Sequence, residues 1–190
     1  VSITVKNTTI SLLLLAAILL SSWSILTSSS MPINPTTENP NEADAFMQDV
    51  VTTALNKEGK PAFQLATPKM THYPAGDTTH IVTPHVTFYK QSSKPWYIDA
   101  DYANATHGTH EVVFSNHVNI HHPADEDHPN TKMQTDTLTI FPDQQVASTN
   151  DPVIFMQPDT TIHAIGMLAN LTAGTIKLLS KAKGEYAPQS

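Results

Sequence analysis

The residues best equipped for chemistry are the ten histidines, six of which, His107, His110, His117, His121, His122 and His128, fall within 22 positions beside Asp125, Glu126 and Asp127. Imidazoles and carboxylates together suit zinc, copper or nickel, and on a strand His117 and His121 would share a face. The spacing lacks the HExxH pattern that sets two ligands on one helical face, and His121 to Asn130 reads as a polar loop between strands. No metal site is assigned; adventitious surface binding is the expected behaviour, and a periplasmic His-rich metal-binding protein stays open as an alternative. Hydrolytic chemistry finds no Gly-x-Ser-x-Gly elbow, and Asp99 and Asp101 share a strand face where Asp101 more simply ends or turns the strand. With no catalytic constellation, the chain reads as a non-enzyme with no cofactor.

The elements that would position these residues are strands. Alternating apolar and polar residues over Ala62–Thr67, Thr79–Tyr89, Trp96–Ala105, Val112–His121 and Met133–Phe141 give segments short enough for strands and too short for helices. Thr161 to Tyr186 fits two last strands around a turn at Ala173-Gly174, with a short terminal helix as the competing reading. Three pentads, Pro84-His85-Val86-Thr87-Phe88, Asn116-His117-Val118-Asn119-Ile120 and Asp151-Pro152-Val153-Ile154-Phe155, repeat a pair of apolar residues behind a turn-former. Val86, Val118 and Val153 are spaced by 32 and then 35 residues, and Asp101 and Asp136 are also 35 apart, so the repeating unit is a pair of strands. Such units bury their apolar faces only by stacking, which predicts a curled or slide-like β-sandwich. The period-2 rule places Phe63, Leu65, Val86, Phe88, Ile98, Val112, Phe114, Val118, Ile120, Leu138, Ile140, Val153 and Phe155 on its inner face.

Composition narrows the rest. The chain has 190 residues, a net charge of −7 and no cysteine; its ten basic side chains are all lysine. It thus lacks the positive field that phosphate-backbone recognition needs, so nucleic acid is not an expected partner. Ile10 to Leu26 is uncharged and holds ten Leu and Ile, about −3 to −6 kcal/mol of insertion free energy before its polar residues are counted. Two readings stand, an uncleaved anchor and a cleaved signal peptide, and both export the body. Lys6 ahead of the span keeps the N-terminus cytoplasmic. The expected organisation is a cytoplasmic N-terminus at 1–7, a transmembrane anchor at 8–27, a Pro-rich acidic linker at 28–48 and a periplasmic β-domain at 49–190. Because the chain begins at Val1 without Met, further cytoplasmic residues are expected before it.

The segments FQLATPKMTHY, WYIDADYANA, NHVNI, TDTLTI, NDPVIF, IHAIGMLANL and IKLLSKAKGEY, in that order behind one N-terminal span, resemble the LptC family over about Phe46 to Tyr186 and the anchor. The resemblance rests on order, spacing and anchor together, since no single motif is specific. It implies a twisted, open, OstA-like β-jellyroll with one N-terminal transmembrane helix, held at the inner membrane with its C-terminal domain in the periplasm. It further implies a transport role without chemistry. Lipopolysaccharide arrives from the LptF/LptG membrane subunits with their LptB ATPase, enters an apolar trough, and passes to the bridge protein LptA by strand addition. Family positions on the lipid path fall on Ile81, Ile176 and Tyr186. The terminal strand Thr175, Ile176, Lys177, Leu178, Leu179 and Ser180 would supply the pairing edge, with Lys181 and Lys183 beside it. Ala164 stands where the family leads one to expect Gly. A membrane-anchored adaptor that pairs strands but carries no lipid is the other alternative.

Overall fold

A computed structural model describes residues 41–90 and 93–187, apart from the side chains of Lys90 and Ser93. These residues belong to the second of two units into which the chain divides, Pro40–Ser190. Eleven antiparallel strands make one sheet: β1 (Ala45–Leu55), β2 (Pro61–Tyr73), β3 (Thr78–Val82), β4 (His85–Lys90), β5 (Ser93–Asp99), β6 (Tyr102–Thr106), β7 (Glu111–His122), β8 (Thr131–Phe141), β9 (Val146–Gln157), β10 (Thr160–Asn170) and β11 (Thr175–Tyr186). The expected segments are all strands, and the last region is a hairpin, β10 and β11, with no terminal helix.

Two corrections concern boundaries. The segments expected as single strands over 79–89 and 96–105 are each interrupted, at Thr83-Pro84 and at Ala100-Asp101. The interruptions leave the register intact: Ala66 pairs with His85 on one side of the first and Lys69 with Val82 on the other, three residues apart along both strands. Likewise His85 pairs with Asp99 and Val82 with Tyr102. Thus β3–β4 and β5–β6 are two long strands with a corner in each, and the sheet is a meander in which every long strand pairs with its neighbours in sequence. The second correction is β1, which begins at Ala45, inside the stretch expected to be linker. Its run of Val and Thr carries little alternation because, apart from half-buried Val50, the whole strand is exposed.

Tight turns fit their residues. The Asn56 side chain accepts N–H bonds from Glu58 at 3.1 Å and Lys60 at 2.9 Å, with Gly59 at φ +76 between them. At the other end of the sheet the Asn170 side chain accepts from the Ala173 N–H at 2.7 Å ahead of Gly174 at φ +67.

The corners recur across the sheet. Positive φ angles fall at Asp49 in β1, Thr83 between β3 and β4, Asn116 and His117 in β7, Gly166 in β10 and Lys181 in β11. Register shifts fall at Ser115/Val118, Gln134/Thr139 and Ile165/Met167. An inserted residue bends a strand and sharpens its twist, which is how a long strand turns from one face of a roll to the other. Val86, Val118 and Val153 each follow a corner and are 2%, 0% and 1% exposed, so the faint repeat in the sequence is the corner itself. The expected all-β, jellyroll-like form holds. The expected span at 8–27 lies outside the described residues, and among the described ones no helix is long and apolar enough to cross a membrane.

Candidate functional site

The interior is one apolar cluster that continues from β2 to β10 on both sides of the corners. Of the inner-face residues expected from the sequence or implied by the resemblance, Leu65, Ile81, Val86, Ile98, Phe114, Val118, Ile120, Leu138, Ile140 and Val153 are buried in it. Phe63, Phe88, Val112, Phe155 and Ile176 pack against it with part of their surface open. Phe63 and Phe88 face each other across β2 and β4 with ring centroids 5.5 Å apart. Tyr186 differs, being 72% exposed. Its register explains why: Tyr186 pairs with Thr160 and Gly184 with Ile162, while Ile162 pairs with Phe155. Directly opposed residues share a face, so Tyr186 stands on the inner face beyond the cover of the roll, at its rim.

Sequence reasoning missed Met133 and Met167, 3% and 1% exposed, and Ala100, Ala103, Ala147 and Ala169. Met133 precedes the irregularity around Asp136, and Met167 follows the one at Gly166, so neither keeps parity with the neighbouring inner-face residues. A strict period-2 count fails at these two corners, although in β7 it runs through from Phe114 to Val118. The expected Gly position, Ala164, is an ordinary buried strand residue; the backbone that needs Gly is two residues on, at Gly166 with φ +78.

Two strands have one free edge each among the described residues: β1 pairs with β2 alone and β11 with β10 alone. In β11 Ile176 and Leu178 lean inward, opposite Ala169 and Met167, while Lys177 and Leu179 are exposed. The edge extends past the expected Ser180 to Tyr186. Unpaired N–H and C=O groups along such an edge are a template for another strand.

The corner seam is polar and mostly bonded within itself, with the Thr135 hydroxyl buried there without a partner. The Thr67 hydroxyl, 4% exposed as a residue, donates to the Val82 carbonyl at 2.5 Å. The Thr83 N–H donates to the Asp101 carbonyl at 2.7 Å, and the Asp101 N–H to the Asn116 carbonyl at 3.0 Å. The Asp101 carboxylate takes His117 Nδ1 at 2.7 Å, and Thr137 Oγ1 donates to Asp151 at 2.5 Å. Asp101 therefore turns the strand, as its side chain and position suggested. Hydrogen bonding to Asp101, and then its charge, raise the His117 pKa above 6.5. His72, between Asp77 at 3.0 Å and Asp44 at 2.6 Å, is raised for the same reason.

The clustered histidines do not converge as a group. His110 pairs with Asp143 and His117 with Asp101, while His121 bonds Asn130 and lies on the Tyr97 ring. His122 and His128 alone of the six meet at one acid, Asp125, in the loop where the sequence placed a polar connection.

These residues thus build a rolled antiparallel meander with an apolar interior, a polar seam and, among the described residues, two open edges. The family of LptC-related lipopolysaccharide-assembly proteins matches residues 11–187. The chain belongs to that family, and so to lipopolysaccharide assembly. A comparison with curated proteins returns no match. Among solved structures it is similar to LptH of Pseudomonas aeruginosa, described as the LptA-homologous periplasmic component of the lipopolysaccharide transport device, at 10% identity and a TM-score of 0.44, covering 80% of this chain and 99% of that one.

Proposed function

We propose that this protein carries lipopolysaccharide from an inner-membrane transporter of LptB, LptF and LptG to an LptA bridge, anchored by residues 8–27 with its β-domain in the periplasm. The observation that carries the reading is the apolar interior running without a break from β2 to β10 toward a free edge strand. A 12-carbon acyl chain in water costs about 10 kcal/mol, at roughly 0.8 kcal/mol per CH₂. A carrier must therefore offer continuous apolar surface, and alternate residues of stacked strands do so. Strand addition at β11 would set the next roll's interior in line with this one, and lipid would then move between surfaces of similar energy. Directionality comes from ATP hydrolysis in the transporter, since the chain has no Gly-rich phosphate loop.

Burial refines where lipid is met. Val118, Leu138 and Val153 are enclosed, so acyl chains first contact the partly open Phe88, Phe155 and Ile176 and the rim at Tyr186. The test is photo-crosslinking in cells with a photoreactive residue at Phe88, Phe155 or Tyr186. Lipopolysaccharide adducts are expected there and not at Thr87 or Asn119 on the outer face. Adducts at none of the three inner positions, with the transporter complex intact, would overturn the carrier role and leave the strand-pairing adaptor.

A further inference from the structure

We infer that His122, Asp125 and His128 form a binding site for one late first-row divalent cation, of the zinc and nickel class, at the end of the β7–β8 hairpin. One ligating atom from each lies within 4.8 Å of the others. The three are not scattered surface groups. His122 closes β7 and is 1% exposed, Asp125 has a side-chain exposure of 12%, and only His128 is open to solvent, at 57%. Two imidazoles and one carboxylate form a nitrogen and oxygen donor set that suits zinc, nickel or copper over magnesium or calcium, and the open side at His128 leaves room for water as further ligands.

His122 is the fixed member of the three. His122 Nε2 lies 3.1 Å from the Lys94 carbonyl and 3.5 Å from Asp125 Oδ2, so Nε2, not Nδ1, is the ring nitrogen that faces the acid. That Nδ1 is buried and has no hydrogen-bond partner. A cation bound between the two groups would displace the Nε2 proton from between His122 and Asp125. Asp125 is held in place by its neighbours. Its Oδ1 accepts the Asp127 N–H at 3.0 Å and the His128 N–H at 2.8 Å, and its Oδ2 the Lys94 N–H at 3.3 Å. The loop carrying it is closed by the Asp125 N–H on the His128 carbonyl at 3.0 Å.

A cation here would tie the 123–130 loop to the start of β5, whose Lys94 N–H already reaches Asp125, beside Trp96, 4.7 Å from the His122 ring and packed on the interior. The test is titration of the purified full chain in detergent, stripped by a chelator, with zinc ion against a chromophoric competitor. One saturable equivalent is expected, weakened about tenfold or more in His128→Ala and Asp125→Asn. His110→Ala and His117→Ala, which remove exposed His–Asp pairs elsewhere, should bind as the parent does. Zinc should also raise the melting temperature of the parent and not that of His128→Ala, each compared with its own chelator-stripped form. Absence of a saturable equivalent in the parent, or equal weakening in all four variants, would overturn the site and mean adventitious surface binding only.

Discussion

At the residue scale, aspartate and histidine do their work as pairs. His85 with Asp99 and His117 with Asp101 staple neighbouring strands beside the corner seam, and His72 ties Asp44, just ahead of β1, to Asp77 in the β2–β3 turn. The His117 pair has a predictable pH signature. Its folded pKa lies above the unfolded 6.5, so its contribution to stability is complete below 6.5 and is lost as pH rises through the folded value. His117→Gln should therefore destabilise the protein on the acid side of 6.5 and converge with the parent well above it. Denaturant unfolding on both sides of that value checks this; a difference independent of pH would assign the effect to something other than the charge. The identities of these pairs were not legible in the sequence, because Asp101 and His117 are 16 residues apart and meet only when β6 and β7 are joined at the corner.

At the scale of elements, the sequence located most strands and missed how they bend. Alternation in Val112–His121 and Met133–Phe141 is a local consequence of one buried face, so it can be read from neighbours along the chain. Corners depend on what lies opposite. Gly166 shows the demand: at φ +78 an added Cβ would also come within 3.0 Å of Leu179 Cδ1. Gly166→Ala should cost about 1–2 kcal/mol from the left-handed backbone, with some relief if Leu179 changes rotamer. Equilibrium unfolding measures it, and Leu179→Ala in the same background should recover the part due to contact. β1 eluded the reading because a strand exposed on nearly every residue leaves no pattern; its Phe46, Val51 and Leu55 are 71%, 66% and 61% exposed.

At the scale of the molecule, the meander ends in two strands, β1 and β11, that are each paired on one side only among the described residues, and the proposed handover uses β11. Removing residues from Thr175 onward should abolish pull-down of an LptA bridge protein while leaving assembly with the LptF/LptG membrane complex intact, which controls for folding. Retained capture of the bridge protein by the truncated chain would remove β11 from that role.

By itself the sequence determined the all-β class, the inward-facing set of alternate apolar residues, the polar loop after β7 and, through the order of its segments, the family. These follow from period, composition and succession, which are properties of the chain in one dimension. Only the tertiary structure decided that two long strands are broken at Thr83-Pro84 and Ala100-Asp101 with their register kept, that Tyr186 stands at the rim of the interior, and that of six clustered histidines two converge on Asp125. Each of these depends on which residue lies across a strand pair or around a corner. Burial and hydrogen bonding between residues far apart in sequence set that choice, and no local period carries it.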